Sequence, residues 1–163
     1  TVTLYEIEAP LVAKKAQPGQ FIILRVDENG ERIPITINDY NPEKGTVTII
    51  VQTVGATTEK LSHMKEGDSS RTLWAPWARP PRPRARRRSA WWGGGVGCAI
   101  AYPVLKKFHD CGAEVHAVIG FKNKDLVILE DEFRAASSVL KGLHRRRLLW
   151  PEGRCHRGAE GAD

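Results

Sequence analysis

The chain has 163 residues, of which 41% are hydrophobic and 27% charged, with a formal net charge of +6; this length allows one domain or two small ones. No apolar run is long enough to span a bilayer and no signal peptide begins the chain, which predicts a soluble, cytoplasmic protein without a membrane partner. The three cysteines are widely spaced, so they form no metal-ligand pattern and fit a reducing compartment.

Residues 1–68 have the pattern of an antiparallel β-barrel. Apolar and polar residues alternate as in half-buried strands, and turns rich in Gly and Pro separate the segments. Short strands at regular spacing favour a small barrel. After Gly55, Thr57 or Thr58 can cap a short helix that runs through Leu61. The predicted strands cover residues 1–8, 21–26, 33–37 and 46–52.

A glycine-rich turn, Gly93-Gly94-Gly95-Val96-Gly97, begins the second half. Such a turn lets the backbone approach a bulky anion, and the N–H groups of a following helix point towards it. A helix is predicted next, with Pro103 tolerable only in its first turn, and residues 114–120 have the pattern of a buried strand. The three elements predict most of a nucleotide-binding βαβ unit; the alternative is a plain flexible loop. The apolar positions of the helix are Ile100, Val104, Leu105 and Phe108.

Three further features follow this turn. Lys122 and Lys124 come after the predicted strand, where a ribose phosphate can bind; the alternative is a solvated turn. Cys98 either lies near a nucleotide bound at this turn or faces the core. A second helix, capped by Asp125, is predicted to place one apolar face towards the core. Its members are Leu126, Leu129, Phe133, Ala136 and Leu140.

Residues 69–92 and 142–163 differ from the rest in composition. They contain 12 Arg, no Lys and all five Trp, whereas the other residues contain 3 Arg and 10 Lys. Residues 142–163 have no apolar period, and residues 79–88 have none either, so residues 79–88 are predicted to form neither a core strand nor a core helix. Residues 79–88 favour a disordered basic linker, or a nucleic-acid-binding module in which arginines neutralise phosphates.

The motifs outside these two segments resemble the FAD/NAD-binding electron-transfer subunits of the ferredoxin–NADP reductase superfamily. The nearest branches are the flavin subunit of NADH-dependent ferredoxin:NADP oxidoreductase (sulfide dehydrogenase) and the dihydroorotate dehydrogenase electron-transfer subunit. The resemblance implies an FAD-binding split β-barrel (1–68), a linking segment (69–92), an incomplete Rossmann-like NAD(P)-binding α/β domain (93–141) and a tail (142–163). The matching phrases are residues 16–21, 32–37, 50–58, 65–68, 93–97 and 124–132.

The same resemblance implies an oxidoreductase that binds FAD and NAD(P)H. Hydride transfer between these cofactors needs no side-chain acid or base, so no catalytic residue is expected, and the Thr36 hydroxyl is expected near flavin N5. The resemblance assigns Pro34, Ile35 and Thr36 to the isoalloxazine ring, Ile50, Val51 and Gln52 to the ribityl chain and adenine side, Gly55, Thr57 and Thr58 to the pyrophosphate, and Gly94, Gly95, Val96 and Gly97 to the nicotinamide dinucleotide.

Two departures from the family pattern affect these expectations. The family's phosphate-binding arginine falls at Ile33, so Arg32 is one residue away and is expected on the other face of the strand. No cysteines have the family's spacing for a [2Fe–2S] centre, so no metal ligand is expected in this chain. The implied partner is a larger catalytic or iron–sulfur subunit, or a ferredoxin. The alternatives are the arginine-rich nucleic-acid module and a non-catalytic fragment of the flavoprotein.

The two anomalous segments are interpreted as translation in a shifted reading frame. The family motif Thr-Asp-Asp-Gly-Ser-Tyr-Gly is missing, but one permitted coding of residues 144–151 contains it when shifted by one base. A one-base shift in the codons of Trp91-Trp92 likewise gives Val-Val, the pair that the family has before the glycine turn. The alternative is a genuine arginine-rich linker and tail. In either case the strand before the glycine turn and the last barrel strand are expected to be missing, with marginal stability and weak cofactor retention.

Sequencing the gene tests this interpretation. We expect single-base shifts near codons 69–92 and 142–163 whose repair restores an apolar strand, a Gly-Pro turn and the missing motif. A gene in which no nearby single-base shift restores these motifs would contradict it.

Overall fold

The computed structural model describes residues 1–70, 72–80 and 88–144. The chain divides into two compact units, Thr1–Pro80 and Pro81–Asp163, each with its own hydrophobic core. Most of the arginine-rich stretch, and the tail after residue 144, lie outside the described residues. The linker, nucleic-acid and tail interpretations that fall on them therefore stay predictions.

The first unit is built on one five-stranded antiparallel sheet with the order β1–β4–β3–β2–β5. All four predicted strands are present, and the third continues four residues further than expected, to Asn41. The Tyr5 hydroxyl donates a 3.1 Å hydrogen bond to the Leu61 carbonyl, which ties the predicted short helix to the first strand. The elements are β1 (Val2–Glu8), α1 (Pro10–Ala13), β2 (Phe21–Arg25), β3 (Ile33–Asn41), β4 (Thr46–Gln52), α2 (Ala56–Ser62) and β5 (Thr72–Trp77).

The core of this unit follows from the two-residue period of its strands. In β2, Ile22 and Leu24 are fully buried, whereas Phe21, Ile23 and Arg25 are half-buried on the opposite face. Full burial of an Ile or Leu side chain contributes about 1.5–3 kcal/mol. This period therefore decides which side chains stabilise the sheet and which remain available on its outer face.

The expectation that the barrel loses its last strand is wrong. Strand β5 pairs antiparallel with β2, with Leu73 opposite Leu24. The buried Gln20 reinforces this edge, because its Nε2 donates a 2.9 Å hydrogen bond to the Ala78 carbonyl. The free main-chain groups of β2 supply the pairing, which needs no apolar period. Directly after β5, Ala78 has a left-handed backbone, with φ of 79°.

The second unit is a three-stranded parallel sheet with the order β6–β7–β8. The strand before the glycine turn is therefore present, contrary to expectation: in β6, Trp91 packs edge-on against Phe108, with ring centroids 5.3 Å apart. Two buried polar atoms of this strand, Ser89 Oγ and Trp91 Nε1, have no hydrogen-bond partner among the residues that the structure describes. The elements are β6 (Arg88–Gly94), α3 (Gly97–Asp110), β7 (Glu114–Phe121), α4 (Glu130–Ala135) and β8 (Val139–His144).

Helix α3 and strand β7 confirm the predicted βαβ elements, with two corrections. Pro103 is the seventh residue of α3 and lies inside the helix rather than in its first turn. Ile100 is 55% exposed, whereas Cys98 and Leu105 are fully buried. A helix buries only one stripe of its surface, and in α3 this stripe contains Leu105, as predicted, but excludes Ile100.

The predicted second helix is much shorter than its apolar pattern suggested. Asp125 lies in a 3₁₀ turn, Lys124–Leu126, and α4 begins only after Leu129, which has a left-handed φ of 58°. Leu140 belongs to β8, where it lies opposite Ala117 of β7. Pairing with an available parallel strand thus overrides the helical periodicity of this segment.

Replacing Ala78 with glycine tests the left-handed backbone after β5. We expect the free energy of unfolding to rise by about 1 kcal/mol, because a left-handed conformation costs a residue with a Cβ roughly 1–2 kcal/mol and glycine's greater unfolded-state entropy offsets part of this. Urea unfolding measures it. Ala56→Gly, at a helical position of α2, is the control and is expected to lower stability; equal losses in both variants would contradict the assignment.

Candidate functional site

The outer face of the first sheet carries two of the residues assigned to the flavin ring. Thr36 lies opposite Phe21, and Pro34 lies opposite Ile23. Directly opposed residues of antiparallel strands share a face, and Phe21 and Ile23 alternate with the core residues of β2. Pro34 is exposed and Thr36 half-buried, so both side chains are accessible from one side of the sheet.

Two other assigned residues face the core with their side chains. Ile35 packs against the core of the first unit, and Val51 is 4% exposed within it. Only their main-chain groups are therefore available to a ligand. Ile50 lies between Ile49 and Val51 in β4 and faces the opposite side. Gln52, at the end of this strand, is exposed.

The start of α2 holds the residues assigned to the pyrophosphate. The Thr58 hydroxyl accepts hydrogen bonds from the Val54 and Gly55 amides, both 3.0 Å long, and donates one of 2.8 Å to the Gly55 carbonyl. This hydroxyl is thus fully used in shaping the turn, and Thr57 is 8% exposed. The donors at this point are main-chain amides, since the first amides of a helix lack intrahelical partners. A Cβ at Gly55 would meet no atom within 4 Å, so an anion can approach them.

Arg32 is exposed and lies just before β3. It is not part of the strand row that carries Pro34 and Thr36. The prediction that Arg32 binds a cofactor phosphate therefore rests on the family resemblance alone.

The glycine turn joins β6 to α3 at the carboxyl ends of the parallel strands. Gly94 lies opposite Gly120 of β7. Gly95 has a left-handed φ of 52°, and its amide donates a 2.8 Å hydrogen bond to the Gly120 carbonyl. A Cβ at Gly95 or Gly97 would meet no atom within 4 Å. The turn is therefore held from the sheet side and open on the other, as a phosphate cradle requires.

Gly93 has a role that the sequence pattern did not assign. A Cβ at Gly93 would lie 2.9 Å from Cys98 Sγ and 3.1 Å from Cys98 Cα, so any side chain here would collide with the first turn of α3. Cys98 is fully buried in the core of the second unit, and burial raises the pKa of its thiol to about 12. Cys98 therefore packs as a neutral, core-facing side chain. Glycines that permit close helix–strand packing occur in dinucleotide-binding turns, and this was the signal available in the sequence.

Lys122 and Lys124 are exposed and follow the end of β7. Carboxyl ends of parallel strands meet at one edge of a sheet, so both lysines lie on the edge that carries the glycine turn. They bring positive charge to that edge.

A charged cluster occupies the opposite end of the same two strands. The Glu114 carboxylate accepts a hydrogen bond from Arg88 Nε at 3.1 Å and lies 3.0 Å from His116 Nε2. The hydrogen bond with His116, and then the charge of Arg88, lower the pKa of this exposed carboxyl. Arg88 lies opposite Glu114, whereas Gly94 lies opposite Gly120, so the cluster is roughly 20 Å from the glycine turn. Its effect is to hold the register of β6 and β7.

The described residues contain neither a metal-binding cluster nor a membrane-spanning helix. No three His, Cys, Asp or Glu side chains there lie close enough together to hold a metal ion. No helix in the same residues has the length and apolar character needed to cross a membrane.

The sequence has clear relatives, although no protein-family profile matches it. An uncharacterised Clostridium beijerinckii protein, from the adh 3' region, is 44% identical over 142 residues, which cover 83% of this chain and 48% of the relative. A Thermotoga maritima homologue of the dihydroorotate dehydrogenase B (NAD(+)) electron transfer subunit is 41% identical over 134 residues, covering 82% of this chain and 48% of that protein.

A solved structure matches the fold closely. The structure of an NADH-dependent reduced ferredoxin–NADP oxidoreductase superposes with a TM-score of 0.87 and 35% identity, covering 90% of this chain and 53% of that one. The fold is therefore that of the ferredoxin-reductase-like FAD/NAD-binding domains. Within this class the sequence is similar to the dihydroorotate dehydrogenase B electron transfer subunits. It spans about half the length of these relatives.

The close approach of α3 to β6 predicts opposite effects for two glycines of one turn. Gly93→Ala is expected to lower the free energy of unfolding by about 1–3 kcal/mol, the usual cost of overpacking. Gly97→Ala is expected to leave it unchanged or slightly higher, because its Cβ meets nothing and alanine favours the helix. Urea unfolding followed by circular dichroism measures both. Equal stabilities of the two variants would contradict the packing role of Gly93.

Proposed function

We propose that this protein is a flavoprotein electron-transfer subunit that takes electrons from NAD(P)H through FAD to a partner. The observation that carries the proposal is the 0.87 TM-score at 35% identity to an NADH-dependent ferredoxin–NADP oxidoreductase. The chain spans about half of that protein, so the activity of this chain is a proposal. The two open main-chain turns, one in each unit, support it further.

The first unit fits FAD. The Gly55 turn leaves the first amides of α2 open to an anion, so they are suited to the pyrophosphate. Thr36 and Pro34 face outwards beside Phe21, where a planar ring can lie, and the Thr36 hydroxyl is suited to hydrogen bonding near N5. Ile50 and Gln52 line the way to the ribityl chain and the adenine. When bound, the flavin supplies the redox chemistry, and the chain supplies binding and orientation.

The second unit fits a nicotinamide dinucleotide. The turn Gly94–Gly97 offers main-chain donors that no Cβ obstructs at Gly95 and Gly97, and α3, with 14 residues, directs its positive end towards them. Lys122 and Lys124 add positive charge at this edge. No side chain would need to transfer a proton in this assignment, because the two bound cofactors would supply the hydride chemistry.

We further propose that the electrons leave to a larger catalytic or iron–sulfur subunit. Several relatives are named electron transfer subunits of dihydroorotate dehydrogenase B (NAD(+)), and a subunit of this kind implies such a partner. The family has a [2Fe–2S] centre, and because this chain has no cysteines with the required spacing, we propose that the centre belongs to the partner. The arginine-rich nucleic-acid alternative gains no support from the residues that the structure describes.

Flavin binding tests the proposal. The purified full-length chain is expected to bind added FAD, and the bound flavin is expected to lose its absorbance when NADH or NADPH is added without oxygen. Gly55→Val is expected to weaken FAD binding at least about tenfold, because it blocks a charge-assisted contact worth about 1.5–3 kcal/mol. Gly55 has an extended φ of −164° and free space around it, so this variant should keep the wild-type fold.

Circular dichroism melting is the control for that fold. Ala56→Val, at the next position of the same turn, is the matched comparison for Gly55→Val. Gly67→Ala is not suitable for this purpose, because Gly67 has a left-handed φ of 91° that strains any side chain. A wild-type chain that binds neither FAD nor reduced pyridine nucleotide would overturn the proposal.

A further inference from the structure

We infer that Trp77 is part of the flavin site, with its indole stacking on the isoalloxazine ring; this inference rests on the proposed FAD binding. Trp77 is the last residue of β5. It lies opposite Phe21 of β2, and Phe21 lies opposite Thr36 of β3. Opposed residues share a face, so the three form a row, Thr36–Phe21–Trp77, across neighbouring strands.

This row belongs to the outer face of the sheet. Ile22, next to Phe21 in β2, is fully buried on the other side. Trp77 is 51% exposed, although a tryptophan gains more than any other side chain from burial of its ring. Neighbouring strands are about 4.8 Å apart, so the row is roughly 10 Å long, which matches a three-ring aromatic system. An exposed indole at one end and a threonine hydroxyl at the other suit a flat ring with polar edge atoms.

The main chain on both sides of Trp77 is held in place. The preceding residues of β5 pair with β2 across a β-bulge, after which Trp77 again lies opposite Phe21. Immediately afterwards, the Ala78 carbonyl accepts the 2.9 Å hydrogen bond from buried Gln20, and the left-handed φ of Ala78 turns the chain away from the sheet. The indole is therefore presented from a fixed backbone, which lowers the entropy cost of stacking.

The family resemblance did not indicate this residue. It drew on motifs outside residues 69–92, where no strand was expected. Only the pairing of β5 with β2 brings Trp77 next to Phe21 and into one row with Thr36.

Titrations with FAD, lumiflavin and ADP test the inference on the full-length chain. Lumiflavin contains the ring without the nucleotide, and ADP contains the pyrophosphate and adenine without the ring. Trp77→Leu, which keeps apolar bulk but removes the aromatic face, is expected to weaken FAD and lumiflavin binding about tenfold and to leave ADP binding unchanged. Trp77→Phe is expected to retain most of the affinity. Wild-type tryptophan fluorescence should be quenched by lumiflavin, and Trp77→Phe should lose most of that quenching.

Trp92→Leu is the matched control, because Trp92 is 53% exposed but belongs to the second unit. It is expected to leave all three affinities unchanged. If the wild type binds FAD and Trp77→Leu binds FAD and lumiflavin equally well, the inference is wrong while the proposed function stands. If Trp92→Leu weakens lumiflavin binding as much as Trp77→Leu, a specific role for Trp77 is also excluded. A wild type that binds none of the three ligands overturns both proposals.

Discussion

The contact between Gly93 and Cys98 is the constraint on which the second unit depends. The first turn of α3 approaches the end of β6 so closely that a single methyl group at Gly93 would lie 2.9 Å from the Cys98 sulfur. This approach fixes where the helix starts, and the Gly95 amide then reaches the Gly120 carbonyl at 2.8 Å. Packing in the core thus positions a turn whose other side is open, which is how a rigid scaffold produces an accessible anion site.

Both units offer main-chain donors at their open turns, and nearby side chains position them. The Thr58 hydroxyl makes three hydrogen bonds that shape the Gly55 turn, and Gln20 secures the edge at which Trp77 lies. A protein whose cofactors perform the chemistry needs binding and orientation more than acid–base groups. The charged cluster around Glu114 lies at the end of the sheet away from the glycine turn.

Three described residues, Ala78 after β5 and Ser89 and Trp91 in β6, fit their positions in the fold poorly. Ala78 adopts a conformation that suits glycine. Ser89 and Trp91 each bury a polar atom without a partner, which costs about 1–3 kcal/mol per group. These mismatches at Ala78, Ser89 and Trp91 agree with the reading-frame interpretation.

The sequence by itself determined the first four strands of the first unit, the glycine turn, and the helix and strand that follow it, because alternation, glycine content and helical spacing are local signals. The tertiary structure alone decided three points. It placed β5 and β6 where both strands were expected to be missing, because unpaired main-chain groups of β2 and β7 accept a neighbour of almost any sequence. It converted Leu140 from a helix position to a strand position through pairing with β7. It also turned Ile35 and Val51 into the core while leaving Thr36 outside, since which face of a strand is buried depends on what packs against it.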